Sequence, residues 1–488
     1  MPPHALASAL APTPKWNEPI LAPRLNTGLL PSTTTAIHNS YSTHSPNRMS
    51  CSIFSKGGEA NNPDTESPVQ LVAQTEIYHY DSWITLPDGS QMVAGQLVIK
   101  EGVEGLFRYE RSYCEASHSF ALHPSNQAGL GLPLGNTLFR THHPSGLFAT
   151  FRDIVPEGWG RLMLIRQHQR LNRQSSVAQL LGYTYPDPIG ALQIITHGQK
   201  PEMAWCSMME LEQLVDAAHR LLNRESIPEP VLRALFKGGS SVGGGRPKVV
   251  VKDSHDSIWL VKLSQPTDSM NLPAVEAATL ELAHHYRLNT PPFRLKMIAG
   301  QDILMVKRFD CLANGGRVHV MSMQALMGVH SSCGVSYADL AKLLRRYSYR
   351  PRDDLEQLCR LMLFNILIGN IDDHLKNFSV VRDREGWCLS PVYDLLPSRA
   401  NQLDGMGGYE PSYHSLKFLA DEFPPTGSEL QQNAREFGMS AKEMARLIDE
   451  LLTLAETAAT PFAKCHLTAS QTAQIMADIA VRAERLAR

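Results

Sequence analysis

The sequence predicts a two-lobed α/β (α+β) chain with a small β-rich N-terminal subdomain and a helical C-terminal lobe. Three observations carry this. Short β-branched and aromatic runs, broken by turn residues, fill the stretch from about Gln70 to Arg108. Between Phe236 and Phe309 come a glycine-rich segment, two β-branched runs, one helical pattern and two more strand patterns. After about Ser336 helical periodicity dominates, with one hairpin pattern inside it. A sheet lobe followed by a helical lobe leaves a cleft between them.

The chain has 488 residues, 43% hydrophobic and 19% charged, enough for about three domains with sizeable cores. Its 46 basic and 48 acidic residues give a net charge of -2, so no global field attracts nucleic acid or anionic membrane. No apolar run reaches the ~18 residues needed to cross a bilayer. The cysteines (Cys51, Cys114, Cys206, Cys311, Cys333, Cys359, Cys388 and Cys465) are scattered and form no CxxC. That suits neither a disulfide scaffold nor a zinc site, and the expected location is the reducing cytoplasm.

Residues 1–68 are rich in Pro, Ser, Thr and Asn, a composition that buries too little apolar surface to order itself, and disorder is expected there. The opening Met1-Pro2-Pro3-His4 lacks the basic region of a signal peptide, and Met49 is an alternative start. Next come a subdomain over 70–200, a sheet lobe over 201–335 and a helical lobe over 336–488. Strands are expected at Leu71–Tyr80, Trp83–Pro87, Met92–Val98 and Gly105–Arg108, with Pro87-Asp88-Gly89-Ser90 as a turn. Helices follow within Phe151–Gln169 and over Ser207–Asn223. The sheet lobe reads as strands Lys248–Lys252 and Ile258–Leu263, helix Val275–Tyr286, then strands Phe293–Met297 and Ile303–Phe309. The helical lobe reads as Tyr337–Tyr347, Leu355–Ile368, Ala441–Ala458 and Ala469–Leu486, with a hairpin of Phe378–Val381 and Trp387–Tyr393.

Chemistry concentrates in Gly369-Asn370-Ile371-Asp372-Asp373-His374-Leu375-Lys376-Asn377, directly after the apolar run Leu361–Ile368. Two acids, a histidine, a lysine and amides are costly at the end of a buried helix unless they have partners or a role. Asp372 and Asn377 have the D-x-x-x-x-N spacing of kinase catalytic loops, where the Asp takes the proton of an attacking hydroxyl and the Asn holds magnesium. The bland reading is a helix end with a polar, capping loop. The following hairpin returns Asp394 to the cleft mouth, as the second magnesium-binding acid of such a site requires.

The loop Lys237-Gly238-Gly239-Ser240-Ser241-Val242-Gly243-Gly244-Gly245-Arg246-Pro247-Lys248 matches neither a Walker motif nor G-x-G-x-x-G. Its bare backbone over Ser241, Val242, Gly243, Gly244 and Gly245 can approach phosphates, although a flexible linker has the same composition. Lys262 lies in an apolar strand and needs a phosphate or carboxylate partner, for which Glu276 on the next helix is the candidate; otherwise it snorkels to the sheet edge. The backbone of Lys307, Arg308 and Phe309 can hydrogen-bond an adenine edge, with Arg308 and Asp310 pinning the hinge. His142-His143 and His284-His285 lack metal spacing, and Lys342, Arg345, Arg346, Arg350 and Arg352 read as a solvated helix face.

In this order the motifs resemble the HipA-type serine/threonine kinases, toxins of type II toxin–antitoxin pairs. The resemblance covers about residues 75 to 465 and includes Val155-Pro156-Glu157-Gly158-Trp159-Gly160-Arg161 and, after Gly182, Gly190-Ala191-Leu192. It implies a protein-kinase-like fold, ATP and Mg2+ as cofactors, Asp372 as catalytic base, and Asn377 with Asp394 as metal ligands. It further implies that Lys262 contacts the nucleotide phosphates, that Lys248 ends the phosphate loop, and that His374 and Lys376 line the site. Ser241 matches a loop serine whose autophosphorylation silences the enzyme. The implied partners are a HipB-like helix-turn-helix antitoxin, DNA only through it, and a protein substrate such as an aminoacyl-tRNA synthetase; no membrane is involved. Two rival readings stay open: a pseudokinase-like co-repressor bound to an antitoxin on DNA, and a small-molecule or lipid kinase. The triple glycine and the N-terminal extension depart from the family pattern.

Overall fold

Polar and apolar residues after Glu76 build strand β1 (Ile77–Thr85), which pairs antiparallel with β2 (Gln91–Lys100). The computed structural model describes residues 75–168, 170–183, 187–201, 205–239, 244–401 and 413–488. The turn between β1 and β2 is held by Asp88, whose carboxylate accepts from the Ser90 amide and hydroxyl at 2.9 and 2.7 Å. Register slips once, between Ser82 and Trp83. Residues 71–74 lie outside the described residues, and the rest of the two strands expected at Leu71–Tyr80 and Trp83–Pro87 is one strand opposite a bulge at Ala94 of β2, which lets pairing continue past the irregularity. With β3 (Glu104–Tyr109), β4 (Phe139–Thr141) and β5 (Leu192–Thr196) it forms a sheet ordered β4-β3-β2-β1-β5, over a core that includes Phe107, Tyr109, Phe148 and Phe151.

The second sheet has the order β6-β7-β8-β10-β9: Cys206–Ser207, Lys248–Lys252, Ile258–Lys262, Gln301–Lys307 and Phe293–Ile298. One face packs on helix Leu272–His285, which starts earlier than the expected Val275 because Asn271 caps it and Pro273 fits its first turn. The other face carries helices Leu211–Leu222 and Glu229–Gly239, with Leu214, Ala218, Leu235 and Phe236 against Val249 and Val261. The second of these corrects the expected loop. Lys237, Gly238 and Gly239 end a helix, and Gly239 lets it lie close to its neighbours, since a Cβ there would come within 2.9 Å of the Trp159 indole nitrogen and 3.2 Å of the Lys248 carbonyl on β7. Residues 240–243 of the expected loop lie outside the described residues.

The C-terminal lobe is built on helix Pro351–Ile368, buried along most of its length. Helices Tyr337–Tyr347, Ala441–Ala455 and Ala469–Leu486 surround it, opened by capping boxes at Ser336, Ser440 and Thr468. The expected hairpin is β12 (Ser379–Arg382) with β13 (Trp387–Leu389), and β11 (His319–Ser322) adds a third strand that the sequence reading missed. Among the described residues, no helix is long and apolar enough to cross a membrane, and the seven cysteines are free thiols.

Candidate active site

Helix Pro351–Ile368 stops at Gly369, whose φ of 65° is the left-handed C-cap conformation glycine adopts without strain. The next turn is fixed by a buried polar chain. Asn365 accepts from the Asn370 amide side chain at 3.2 Å and donates to the Tyr337 hydroxyl at 3.0 Å, and Tyr337 donates to Asp373 at 2.6 Å. His414 at 3.0 Å and the Ser415 amide at 2.8 Å complete the partners of Asp373, which is fully buried. Of the two adjacent acids, Asp373 is thus spent on structure. Asp372 keeps its carboxylate open to the cleft, where burial pushes its pKa above the ordinary value while His374, 3.9 Å away, pulls it back. Asn377 donates its amide nitrogen to the Asp372 carbonyl at 2.7 Å, which leaves its side-chain oxygen as the available ligand.

Opposite, Lys262 on β8 donates to Glu276 at 2.6 Å and to Asp394. Burial works against the ammonium, but these two carboxylates outweigh it and hold the Lys262 pKa above the ordinary range. Burial likewise opposes ionisation of Asp394, and Lys262 and Lys248 outweigh it, holding the carboxyl well below the usual range. Asp394 has φ of 54°, a conformation that costs a non-glycine residue energy and here turns the acid toward Lys262. The preceding Tyr393 donates to the Lys376 carbonyl at 2.9 Å and stacks on Phe309 with 6.2 Å between centroids, joining the segment after Asp372, the segment after β13 and the segment after β10. Lys248 is buried, and burial pulls its pKa down.

The hinge itself is pinned by buried ions. Arg308 pairs with Asp187 at 2.9 Å and with Asp310 at 2.6 Å, and Arg317 pairs with both acids. The Arg308 side chain is therefore committed to this cluster, which leaves only its backbone free to face the cleft. The Gly190 amide donates to Asp310 at 2.7 Å, tying the N-terminal subdomain to the hinge.

Gly244, Gly245, Lys248, Lys262, Glu276, Lys307, Arg308, Phe309, Asp372, His374, Lys376, Asn377 and Asp394 all line one cleft of about 580 Å³. That volume is of ligand-pocket size. Ser241, Val242 and Gly243 lie outside the described residues. Apolar walls from Leu272, Leu280, Val306 and Leu396 sit beside the charged end, which suits a ligand with an aromatic ring and an anionic tail. Among the described residues no three His, Cys, Asp or Glu side chains converge to hold a metal unaided. The Asn377 oxygen and Asp394 carboxylate are hard donors in the same cleft, so they fit magnesium only if phosphate oxygens or water complete its shell.

Sequence reasoning missed the part played by the subdomain segment around Trp159. Its amide donates to the Gly244 carbonyl at 2.8 Å and its indole to the Lys248 carbonyl at 3.0 Å. Gly158 has φ of 50°, and a Cβ there would collide with the Gly244 carbonyl. Glu157 reaches Lys376 at 2.5 Å. The signal was present as a Glu-Gly-Trp-Gly run, but nothing local reveals that its partners lie more than 80 residues away. Similarly, His143 is not a bare surface residue: Arg152 lies 2.7 Å and His330 3.1 Å from its ring nitrogen. The Lys342–Arg352 basic face is partly internally paired, through Lys342 to Asp339 and Arg350 to Asp354.

Several known proteins are similar to this chain. The protein named "Putative kinase Y4mE" of Sinorhizobium fredii is 29% identical over 234 residues, 44% of this chain and 56% of that one. Toxin YjjJ of Escherichia coli is 25% identical over 169 residues, 33% of this chain and 38% of that one. The chain spans about half the length of the first such relatives it matches. The fold matches HipA of Shewanella oneidensis MR-1, solved with HipB and its operator DNA, with a TM-score of 0.60 at 18% identity, covering 83% of this chain and 96% of that one. Residues 89–195 match the HipA N-terminal domain and residues 240–459 the HipA-like C-terminal domain, together about two thirds of the sequence. With both domains present in order around one cleft, the chain belongs to the HipA family.

Proposed function

We propose that this chain is an ATP-dependent kinase that phosphorylates serine or threonine in a protein. The observation that carries the reading is the division of labour at the helix end. Asp373 is locked by Tyr337, His414 and Ser415, while Asp372 faces the cleft that Lys262, Glu276 and Asp394 share. Asp372 would accept the proton of the substrate hydroxyl as its oxygen attacks the terminal phosphorus of ATP and the bond to the β–γ bridging oxygen breaks, releasing ADP. Lys262 and Lys248 would neutralise phosphate charge, which a preorganised site does with little reorganisation. The stacked Phe309–Tyr393 pair and the Lys307–Phe309 backbone would seat the base. Magnesium held by Asn377 and Asp394 would supply charge neutralisation at the phosphates.

Family membership supports a growth-inhibiting, toxin-like role under a HipB-like antitoxin, with DNA reached through that partner; the Shewanella relative is found with HipB and operator DNA. The same reading makes Ser241 the modified loop serine. About two negative charges added there would repel a bound triphosphate and favour loss of the loop from the cleft. Phosphosite mapping on cellular protein after induction tests the whole reading. New phosphoserine or phosphothreonine on a cellular protein, such as an aminoacyl-tRNA synthetase, is expected with the intact chain and not with Asp372→Asn. Lipid or metabolite phosphorylation without protein phosphosites would overturn it. For the switch, protein phosphorylated at Ser241 should no longer bind ATP.

A further inference from the structure

We propose that Glu157 is a positioning residue: a resident counter-ion that holds Lys376 across the cleft and yields it to an incoming phosphoryl group. The inference rests on the kinase reading and deepens it.

Glu157 does not cap the helix that follows it. It stands immediately before helix Gly158–Gln167, where a carboxylate would ordinarily cap the free amides of the first turn. Its side chain instead crosses to Lys376 Nζ at 2.5 Å, one residue before Asn377 and four after Asp372. Both side chains line the cleft.

The next two residues fix where that carboxylate stands. Gly158 packs on the Gly244 carbonyl closely enough to exclude any Cβ, and Trp159 bonds the carbonyls of Gly244 and Lys248. The backbone beside Glu157 is therefore fastened to the phosphate-approaching loop. On the other side, the Lys376 carbonyl accepts from Tyr393, next to Asp394. One ion pair thus connects the loop that approaches phosphates with the loop that carries the base.

The pair is partly open to solvent, with Glu157 56% and Lys376 31% exposed, so it is weak and exchangeable. A triphosphate entering the cleft offers Lys376 a more highly charged partner, and it also repels Glu157. The carboxylate thus competes with the nucleotide for the same ammonium while keeping that ammonium aimed into the cleft.

The test is a double-mutant cycle read by MgATP titration, with thermal melting as a fold control. Glu157→Gln should bind MgATP about two- to fivefold more tightly than the parent, because the competing charge is gone. Lys376→Gln should bind more weakly, and the added Glu157→Gln change should then tighten binding by less than it does in the parent. In turnover, Glu157→Gln should lower KM for ATP, and Glu157→Asp, which keeps the competing charge, should return KM toward the parent value. Equal MgATP affinity of parent and Glu157→Gln, or an effect of the same size without Lys376, would overturn the proposal. If the parent binds no MgATP while remaining folded, the kinase reading fails and takes this inference with it.

Discussion

Trp159 donates its indole N–H to the main-chain carbonyl of Lys248 at 3.0 Å, so a residue of the N-terminal subdomain holds the first residue of β7 at the edge of the cleft. Both residues are buried, and the Lys248 carbonyl loses a partner if the indole is removed. Trp159→Phe keeps much of the apolar bulk and deletes the donor. A loss of about 1 kcal/mol in stability is expected, together with weaker MgATP binding. Urea unfolding and nucleotide titration measure the two effects; unchanged nucleotide affinity would mean that the subdomain does not position this edge of the cleft.

Asp372→Asn should leave folding and nucleotide affinity nearly unchanged and abolish phosphoryl transfer. The side chain is half-exposed at the cleft, so its removal strands no buried partner. Its pKa lies above the ordinary aspartate value because of burial. A base must be ionised, so kcat/KM should rise with pH through a limb lying above the usual aspartate range. Retained turnover in the variant would assign the base elsewhere.

Asp394→Ala removes a hard oxygen ligand and one of the two carboxylates on Lys262. Glu276 remains at 2.6 Å, so Lys262 stays paired and the sheet lobe should keep its stability within about 1 kcal/mol. Magnesium-dependent ATP affinity should fall by about tenfold or more, the worth of one lost charged contact, while magnesium-free binding changes less. Titration with and without magnesium separates these; an equal loss in both would place Asp394 at Lys262 alone.

How much of this was legible in the sequence depends on range. The Asp372–Asn377 spacing, the apolar helix before it and Asp394 after the hairpin are local patterns, and Asp372, Asn377 and Asp394 line one cleft. Helices Tyr337–Tyr347 and Ala469–Leu486 have the expected ends because Ser336 and Thr468 write capping boxes into the sequence. The Gly238-Gly239 pair was misread because glycine serves both open loops and close packing, and only the Trp159 contact distinguishes them. The Arg308–Asp187–Asp310–Arg317 cluster joins residues about 120 apart, and no local spacing announces it. That Asp373 rather than Asp372 is structural follows from Tyr337 and His414, which flank it from 36 residues before and 41 after.

Acid should destabilise the fold through two buried histidines. His123 and His319 are buried, and burial pushes each ring's pKa down from 6.5 to about 4. His123 bonds the Ala325 carbonyl at 3.2 Å and His319 the Leu122 carbonyl at 3.4 Å, so both sit where the N-terminal subdomain meets the segment after β10. In the unfolded chain each ring takes a proton near pH 6.5, while the folded chain refuses it until about pH 4. Stability is therefore undiminished by these groups above pH 6.5 and declines as pH falls toward 4. Each contributes a loss of up to about 3 kcal/mol across that window. Urea midpoints at pH 7, 6, 5 and 4.5 should fall steadily, and His319→Phe, which cannot take a proton, should flatten the slope by about one proton. A variant with the parent slope would show that His319 is already protonated in the folded protein or is solvated there.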